Sequence, residues 1–539
     1  MTGLSYAKGP SLNLLHKTIG QVLHDTASRY SDRDALIVRH ENLRLNWREL
    51  EERVEQTARG LIGLGLEPGD RVGVWATNCA EWVYMQFGCA RAGIVLVNVN
   101  PAYRSNELAY VLKKSGMKAL FLRREDSHAH YGELFEQARK EQPSALQHAI
   151  FLKEESWDQM IANGSDIGPG PSNPHDVVNI QYTSGTTGSP KGVLLTHHNL
   201  VNNAHVVSHD LAFSERDKIC IPVPLYHCFG CVAGTLGALV SGAAMILPSA
   251  SFDPLHTMEA ISEERATVIY GVPTMFIAQL HHPEFHRFDF TSLRTGIMAG
   301  APCPVEVMRL VIDDMHCTGM TVGYGQTEAS PIITLAQVDD SVEHRVETVG
   351  RTCPETEVKI VSPEGETLTI GEHGELCSRG YLIMKGYDQD PAATTKAVDK
   401  DGWLHTGDLA SMRPDGYIHI TGRLRDMIIR GGENIYPREI EDFLYSHPKV
   451  ADVQIVGLPD EKYGETVCAW IRLKPGEAAT EAEIHDYCQN HIAHYKVPQW
   501  VRFVDSFPMT VTGKIQKFRI KEIEIKERHL EKAAGIRTA

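Results

Sequence analysis

Short apolar runs alternate with helical periods between residues 71 and 122, and this alternation is what most limits the possible folds of the chain. Apolar strands that alternate with helices indicate parallel strands covered by helices, so the segment predicts a β-α-β-α-β unit of an α/β fold. The predicted order is strand 71–76, helix 80–92, strand 94–99, helix 105–115 and strand 119–122.

The same alternation continues to about residue 299, after which the pattern changes. Beyond Glu328 short strands and turns predict a small β subdomain, and beyond Gly422 strands and helices mix in a compact tail. A chain of 539 residues is too long for one hydrophobic core. We therefore predict a large N-terminal α/β domain with parallel-sheet subdomains and a small β subdomain, followed by a smaller α+β domain.

One helix start is signalled clearly. Residues 43–64 carry apolar residues at helical spacing from Leu50 to Leu61, and Asn46 precedes them. An asparagine in that place predicts an N-cap.

A loop rich in hydroxyl groups and glycine connects two predicted strands, 177–181 and 192–196. It offers backbone N–H groups, hydroxyl donors and one ammonium, which are groups that bind phosphate. It is not a Walker A loop, since its Gly-to-Lys spacing differs and no Ser or Thr follows the lysine. Its candidate phosphate-binding residues are Thr183, Ser184, Gly185, Thr186, Thr187, Gly188 and Lys191.

Four further motifs follow the loop in order. They are Gly323–Glu328 (GYGQTE), Trp403–Asp408 (WLHTGD), Gly422–Asn434 (GRLRDMIIRGGEN) and Thr510–Lys514 (TVTGK). In order and spacing the five motifs resemble the adenylate-forming superfamily, which includes acyl-CoA synthetases, luciferases and peptide-synthetase adenylation domains. The resemblance covers essentially the whole chain.

The resemblance implies a reaction in two steps. A carboxylate attacks the α-phosphorus of ATP to give acyl-AMP and pyrophosphate, and a thiol then displaces AMP. Neither step needs an enzymic nucleophile, but both need negative charge to be neutralised and reactants to be aligned.

Roles for individual residues follow from the resemblance. Thr327 contacts the α-phosphate, Glu328 binds Mg²⁺, and Lys514 bridges the carboxylate and the α-phosphate in the first step. The adenosine is contacted by Tyr324 and by Gly300, Ala301 and Pro302 on the two faces of adenine, and by Asp408 and Arg423 at the ribose. The roles of Gln326 and Arg425 stay open at this point.

The resemblance also implies a mobile small domain. It divides the chain into residues 1–424 and 425–539, with Arg425 as the hinge, where the family often has Asp or Lys. Gly431 and Gly432 would border the channel for the pantetheine arm of coenzyme A, because a Cβ would narrow it. A tight turn is the alternative role for these glycines.

The acyl site is predicted around residues 222–230. Family members that activate amino acids usually carry an Asp in this region, whereas none occurs between Lys218 and Phe252. Small residues at 234–239 and the segment around Gly271 leave room for an apolar chain. His227 would orient the carboxylate, with packing as the alternative.

Segments 99–104 and 107–114 look most like medium-chain fatty acyl-CoA synthetases. We therefore expect an AMP-forming fatty acid–CoA ligase that uses ATP, Mg²⁺ and coenzyme A. The alternatives are an aryl-acid CoA ligase, an adenylating enzyme that loads a carrier protein, and an ATP-binding regulator without catalysis.

The net charge of −16 argues against a nucleic-acid partner. The most apolar stretch, 232–247, is too short to cross a bilayer comfortably and predicts a buried helix. Because no secretory signal is visible in residues 1–28, the cytoplasm is the expected location, with a trimmed matrix enzyme as an alternative. A homodimer is compatible with the sequence, which does not decide the oligomeric state.

Overall fold

The computed structural model describes residues 3–127, 129–141, 145–168, 170–171, 173–183, 190–301, 303–430, 433–460, 462–489, 491–509 and 515–531. Two compact units are formed. The larger unit contains Ala7–Val358 and Ser378–His405, and the smaller unit contains Met1–Tyr6, Lys359–Cys377 and Thr406–Ala539 within the described ranges.

The described α-helices include those predicted over 80–92 and 105–115. They are α1 (Ile19–Tyr30), α2 (Trp47–Gly63), α3 (Ala80–Ala92), α4 (Ser105–Ser115), α5 (Tyr131–Glu141), α6 (Glu155–Ala162), α7 (His197–Asp210), α8 (Gly237–Ser241), α9 (Pro254–Glu264), α10 (Pro273–Leu280), α11 (Val305–Asp313), α12 (Val342–Glu347), α13 (Pro391–Ala397), α14 (Pro437–Tyr445), α15 (Glu481–Gln489) and α16 (Lys517–Glu527).

The described strands include those predicted at 71–76, 94–99, 119–122, 177–181 and 192–196, with ends that differ by at most two residues. They are β1 (Tyr6–Lys8), β2 (Asp34–Val38), β3 (Leu43–Asn46), β4 (Arg71–Trp75), β5 (Val95–Asn98), β6 (Ala119–Leu122), β7 (His148–Phe151), β8 (Val177–Thr183), β9 (Lys191–Thr196), β10 (Lys218–Cys220), β11 (Ala244–Leu247), β12 (Val268–Gly271), β13 (Thr295–Ala299), β14 (Gly319–Gly325), β15 (Ile332–Leu335), β16 (Arg351–Thr352), β17 (Thr356–Val361), β18 (Gly374–Gly380), β19 (Gly386–Tyr387), β20 (Leu404–Met412), β21 (Ile418–Arg423), β22 (Ile428–Arg430), β23 (Glu433–Ile435), β24 (Val450–Asp460), β25 (Gly464–Leu473) and β26 (Trp500–Phe503).

A seven-stranded sheet of the larger unit contains the predicted β-α-β-α-β unit. Its order is β19-β9-β8-β5-β4-β6-β7, and β4 lies parallel to both β5 and β6. The α/β fold expected from the alternation is therefore confirmed. At the other end of this sheet β8 and β9 run antiparallel, as the two strands on either side of the predicted phosphate loop should.

A second sheet of the larger unit has nine strands, in the order β16-β15-β14-β13-β12-β10-β11-β2-β3. Strands β10 to β14 that neighbour one another in it are parallel, so their carboxyl ends meet at one edge. Ligands of open α/β sheets bind outside that edge.

The main core of the larger unit joins side chains from both sheets with the helices that cover them. Helix α3 is buried along almost its whole length, and Trp82 and Phe87 in it are fully buried. All-round burial suits a helix whose apolar residues are not confined to one stripe.

Two segments differ from their predicted conformations. The apolar stretch that begins near residue 232 is not one helix, because Phe229–Leu236 is π-helical, α8 follows it, and the chain then enters β11. Likewise the predicted helix from residue 43 starts only at Trp47, since Leu43–Asn46 pairs with β2 as a strand. Strands β3 and β11 form by pairing with strands elsewhere in the sheet, which periodicity along the chain does not reveal.

Asn46 nevertheless caps α2 as predicted. Its side-chain oxygen accepts a hydrogen bond from the Glu49 N–H at 2.9 Å, and the Glu49 carboxylate accepts one from the Asn46 N–H at 2.9 Å. This reciprocal pair is a capping box.

Replacing the cap should weaken the larger unit measurably. We expect Asn46→Ala to lower the free energy of unfolding by about 1 kcal/mol, because an orphan helix N–H loses its acceptor. Chemical denaturation of the purified protein measures this change, and Glu52→Ala on the exposed face of the same helix is the control. Equal stability of Asn46→Ala and the native chain would contradict the capping role.

The smaller unit contains a mixed sheet of β22 to β26. Strands β24 and β25 are antiparallel, β26 lies parallel to β25, and α14 packs beside β24. This agrees with the α+β character predicted for the end of the chain. Among the described residues, none of the helices combines the length and the apolar character that a membrane crossing requires.

Candidate active site

The two strands that flank the phosphate loop pair up to its very ends. Thr183 lies opposite Lys191, and its hydroxyl donates a hydrogen bond to the Lys191 carbonyl at 3.5 Å. Tyr110 donates to the Pro190 carbonyl at 3.1 Å. The described ends of the loop are therefore held together as a hairpin.

Several predicted residues lie outside the described part of the chain. They are Ser184, Gly185, Thr186, Thr187, Gly188, Pro302, Gly431, Gly432 and Lys514. Their roles stay predictions.

The adenine and acyl candidates of the larger unit lie at the carboxyl ends of neighbouring parallel strands. Gly271 ends β12, Gly300 and Ala301 follow β13, and Tyr324 is near the end of β14. Register pairs Gly271 with Met298 and Ala299 with Gly323, so these ends are level. The topology thus brings together residues that are far apart in sequence.

Two glycines at this edge allow close packing. A Cβ on Gly271 would stand 2.8 Å from the Phe276 ring, and one on Gly325 would stand 1.8 Å from the Pro331 carbonyl oxygen. The Pro331 carbonyl lies this close to Gly325 because it accepts the Gln326 N–H at 2.9 Å. This hydrogen bond closes the turn after β14. No larger residue fits at Gly325 without moving this turn.

Thr327 and Glu328 lie in the turn that follows β14. Residues Thr327–Ala329 form one turn of 3-10 helix, in which Thr327 is buried and Glu328 partly buried. The turn places a hydroxyl and a carboxylate side by side at the carboxyl edge of the sheet.

A tyrosine connects Glu328 with the phosphate loop. The Tyr387 hydroxyl donates to Glu328 Oε1 at 2.7 Å, and the Lys191 ammonium lies 4.9 Å from the centroid of the same ring. Burial, followed by the nearby Glu328 carboxylate, raises the pKa of the Tyr387 phenol well above its usual range, so the phenol stays the donor. Tyr387 lies outside the five sequence motifs.

The donor set at Glu328 suits a magnesium ion that is also bound by substrate. Mg²⁺ prefers oxygen ligands and usually takes one or two carboxylates together with phosphate oxygens and waters. Tyr387 occupies one carboxylate oxygen of Glu328, and no other hydrogen bond or ion pair of that carboxylate occurs among the described residues. A carboxylate linked through Tyr387 to Lys191, at the described end of the predicted phosphate loop, fits such an ion.

His227 and Thr327 approach each other through a cysteine. Cys228 Sγ lies 3.6 Å from His227 Nδ1 and 3.8 Å from Thr327 Oγ1. His227 Nδ1 also accepts the Phe229 N–H at 3.2 Å, which favours the neutral tautomer with its proton on Nε2. The predicted carboxylate-orienting and phosphate-contacting residues therefore lie in one neighbourhood.

The ribose candidates belong to the smaller unit and are neighbours there. Asp408 and Arg423 face each other in the β20–β21 pair, and Arg423 Nε lies 3.2 Å from Asp408 Oδ1. Asp408 is buried, whereas the Arg423 side chain is half exposed. Arg425 follows in a 3-10 turn, 3.7 Å from Asp426.

Two protein-family models match the chain. The profile described as "AMP-binding enzyme" matches residues 23–388, and that described as "AMP-binding enzyme C-terminal domain" matches residues 439–514.

Curated relatives match over nearly their whole length. The protein YngI of Bacillus subtilis (strain 168) is 47% identical over 535 residues, which cover 94% of this chain and 97% of YngI. The medium-chain acyl-CoA ligase ACSF2 of Homo sapiens, named as mitochondrial, is 44% identical over 559 residues, covering 98% of this chain and 91% of ACSF2.

Among solved structures, the anthranilate CoA ligase AuaEII in complex with anthranoyl-AMP superposes with a TM-score of 0.87 at 27% identity. The match covers 95% of this chain and 98% of AuaEII. Both the sequence relatives and this structure are therefore similar to the chain across the two family domains.

Proposed function

The chain belongs to the AMP-binding enzyme family, and from that membership we propose that it is an AMP-forming fatty acid–CoA ligase for medium-chain acids. It joins the acid to coenzyme A through acyl-AMP and releases AMP and pyrophosphate. The observation that carries this proposal is the 44% identity to a medium-chain acyl-CoA ligase over 98% of the chain.

In the first step the larger unit binds the triphosphate of ATP. The loop from Thr183 to Lys191 holds the departing phosphates, Thr327 contacts the α-phosphate, and Tyr324 with Gly300 and Ala301 binds adenine. Asp408 and Arg423 bind the ribose, which a carboxylate suits because it accepts hydrogen bonds from two hydroxyls. The hairpin base and the turn after β14 support this assignment, since each presents its polar groups at a strand end.

Glu328 would hold Mg²⁺, which neutralises charge on the phosphates when it is bound. Tyr387 donates to one oxygen of the Glu328 carboxylate, and the other oxygen would bind such an ion. Lys514 adds a second positive charge where the carboxylate meets the α-phosphate.

In the second step coenzyme A replaces AMP. Residues 425–539 rotate about Arg425 as a mobile domain, withdraw Lys514 and bring Gly431 and Gly432 to the pantetheine channel. Two chemically different half-reactions at one centre support such alternation, because an ammonium between carboxylate and phosphate would obstruct the incoming thiol.

The acid would bind beside buried aromatic side chains. Tyr270 is fully buried, and its ring lies 5.3 Å from that of Phe229, centroid to centroid, beside Gly271 at the end of β12. Buried aromatic rings next to the carboxylate-orienting candidate His227 favour a hydrocarbon chain over an ammonium-bearing amino acid.

An aryl-acid CoA ligase is the second candidate. It is favoured by the close superposition of AuaEII, whose structure contains anthranoyl-AMP. An aromatic acid would need a short, flat pocket, whereas a fatty acid needs a long one.

A panel of acids separates the candidates. We expect acid-dependent pyrophosphate release to be faster with octanoate than with benzoate, anthranilate, leucine or phenylalanine, and thioester to appear only when coenzyme A is added. The measurement is pyrophosphate release together with chromatography of the thioester.

Each other result has a definite meaning. Faster release with the aromatic acids would replace the proposal by the aryl-acid ligase. Pyrophosphate release that is normal with octanoate but gives no thioester with coenzyme A would indicate a carrier-protein acceptor. Faster release with leucine than with octanoate would refute the fatty-acid pocket.

A further inference from the structure

Tyr387 lies outside the five motifs, but its side chain contacts residues from two other elements. Lys191 begins β9, Glu328 lies in the turn after β14, and Tyr387 ends the short strand β19. Resting on the proposed function, we propose that Tyr387 is a positioning residue, which orients Glu328 and Lys191 for metal-bound ATP.

The backbone that carries the Tyr387 ring is anchored at several points. The Tyr387 N–H donates to Thr394 Oγ1 at 2.8 Å, and β19 pairs with β9 so that Tyr387 lies opposite Val193. The next residue, Asp388, is buried and accepts two hydrogen bonds from the Arg71 guanidinium at 2.9 and 2.8 Å. The strand pairing holds β19 against β9, which carries Lys191, and the Arg71–Asp388 pair ties the same segment to β4.

Glycine is favoured just before the tyrosine. Gly386 has φ +147°, and a Cβ there would lie 3.0 Å from the Thr394 side chain. Both features favour glycine at this position. The local backbone is thus built to place the next side chain.

The turn that carries Glu328 is tied to the same segment through its backbone. The Met384 N–H donates to the Glu328 carbonyl at 2.9 Å, and the Ser330 hydroxyl donates to the Leu382 carbonyl at 2.7 Å. The position of the turn therefore does not depend on the Tyr387 hydroxyl. What the hydroxyl adds is the direction of the Glu328 carboxylate, which has several rotatable bonds of its own.

The two functional groups use different parts of one side chain. The Lys191 ammonium lies over the ring face, where the negative side of the π-quadrupole attracts a cation, and the Glu328 carboxylate accepts from the hydroxyl. No Lys191–Glu328 ion pair occurs in the described part of the chain. Tyr387 thus supplies each charge with a partner other than the opposite charge, so that the ammonium and carboxylate remain for the phosphates and the metal.

Tyr387→Phe tests the hydroxyl alone, because the ring and its contact with Lys191 are kept. We expect the Mg²⁺ concentration that half-saturates ATP binding to rise on the order of 10-fold, as for other partners of metal ligands. At saturating Mg²⁺, affinity for ATP should return to within about 3-fold of the native value, since Glu328 itself is unchanged. Fluorescent ATP titrated against Mg²⁺ without any acid measures this.

Two further variants sharpen the test. Tyr387→Leu removes the ring as well, so weaker ATP binding should persist at saturating Mg²⁺. Tyr131→Phe is the matched control, because it deletes another hydroxyl of the larger unit that donates to a carboxylate, Asp126 Oδ2, at 2.9 Å. Its Mg²⁺ dependence should equal that of the native chain, and melting temperatures of all variants show whether the fold is kept.

The outcomes separate this proposal from the proposed function. Unchanged Mg²⁺ dependence in a folded Tyr387→Phe protein overturns the positioning role, and so does an equal loss of ATP affinity at every Mg²⁺ concentration. Native protein that binds no ATP overturns both proposals. If the native protein binds ATP with Mg²⁺ but releases no pyrophosphate with any acid, only the proposed function fails.

Discussion

Lys514→Ala should abolish most of the first half-reaction and leave the second nearly intact. We expect acid-dependent pyrophosphate release to fall on the order of 10²-fold or more, because an ammonium that offsets developing charge contributes only where carboxylate meets α-phosphate. Conversion of supplied acyl-AMP and coenzyme A into thioester should remain within a few-fold of native. Both rates are measured on the same preparation.

The contacts of the residues that flank the TVTGK motif allow the Lys514 side chain to be removed without disturbing them. The residues on either side of the TVTGK motif, Met509 and Ile515, pair as an isolated β-bridge, and Gln516 donates its N–H to the Pro508 carbonyl at 2.8 Å. These contacts do not involve Lys514, so its truncation should leave them in place. Lys526→Ala, which removes an exposed lysine from α16, is the matched control.

Two results would count against the assignment of Lys514. If both half-reactions fall equally while the melting temperature is kept, the lysine does not act in adenylation alone. A lowered melting temperature together with equal losses would instead assign Lys514 a structural role.

The fold was predictable because its strongest signals are local. Helices α3 and α4 and strand β6 have the bounds that their patterns predict, and Asn46 caps α2 through its own side chain. In each case the residues that decide the structure lie within one element or next to it. The sequence therefore contains the information in a form that periodicity and capping can detect.

The parts that were not predictable depend on distant partners. Tyr387 meets Glu328 and Lys191 from positions 59 and 196 residues away, by subtraction of the sequence numbers. Its only local signal is the Gly386-Tyr387 pair, which resembles an ordinary turn. Cys228 likewise contacts Thr327, which is distant in sequence. Cys228 follows β10 and Thr327 follows β14, and both strands belong to one sheet. Sheet order, and not sequence spacing, creates such contacts.

Glu328→Gln should strongly impair the use of ATP. The amide keeps the shape of the side chain and can still accept from Tyr387, but it loses the negative charge that a hard cation prefers. We expect pyrophosphate release to fall on the order of 10²-fold, and added Mg²⁺ to restore it only partly. Thioester formation from supplied acyl-AMP should be little changed, because no triphosphate takes part. Full activity with an unchanged Mg²⁺ response would refute the role of Glu328.

A double variant then shows whether Tyr387 acts through Glu328. If its hydroxyl only orients that carboxylate, Glu328→Gln with Tyr387→Phe should lose little more metal-dependent ATP affinity than Glu328→Gln alone, since residues in one network are not additive. Independent roles would instead multiply the two losses. Glu306→Gln, an exposed carboxylate of α11, combined with Tyr387→Phe is the matched control and should show the Tyr387→Phe loss alone. Multiplied losses in the Glu328 pair would place Tyr387 outside the metal-binding arrangement.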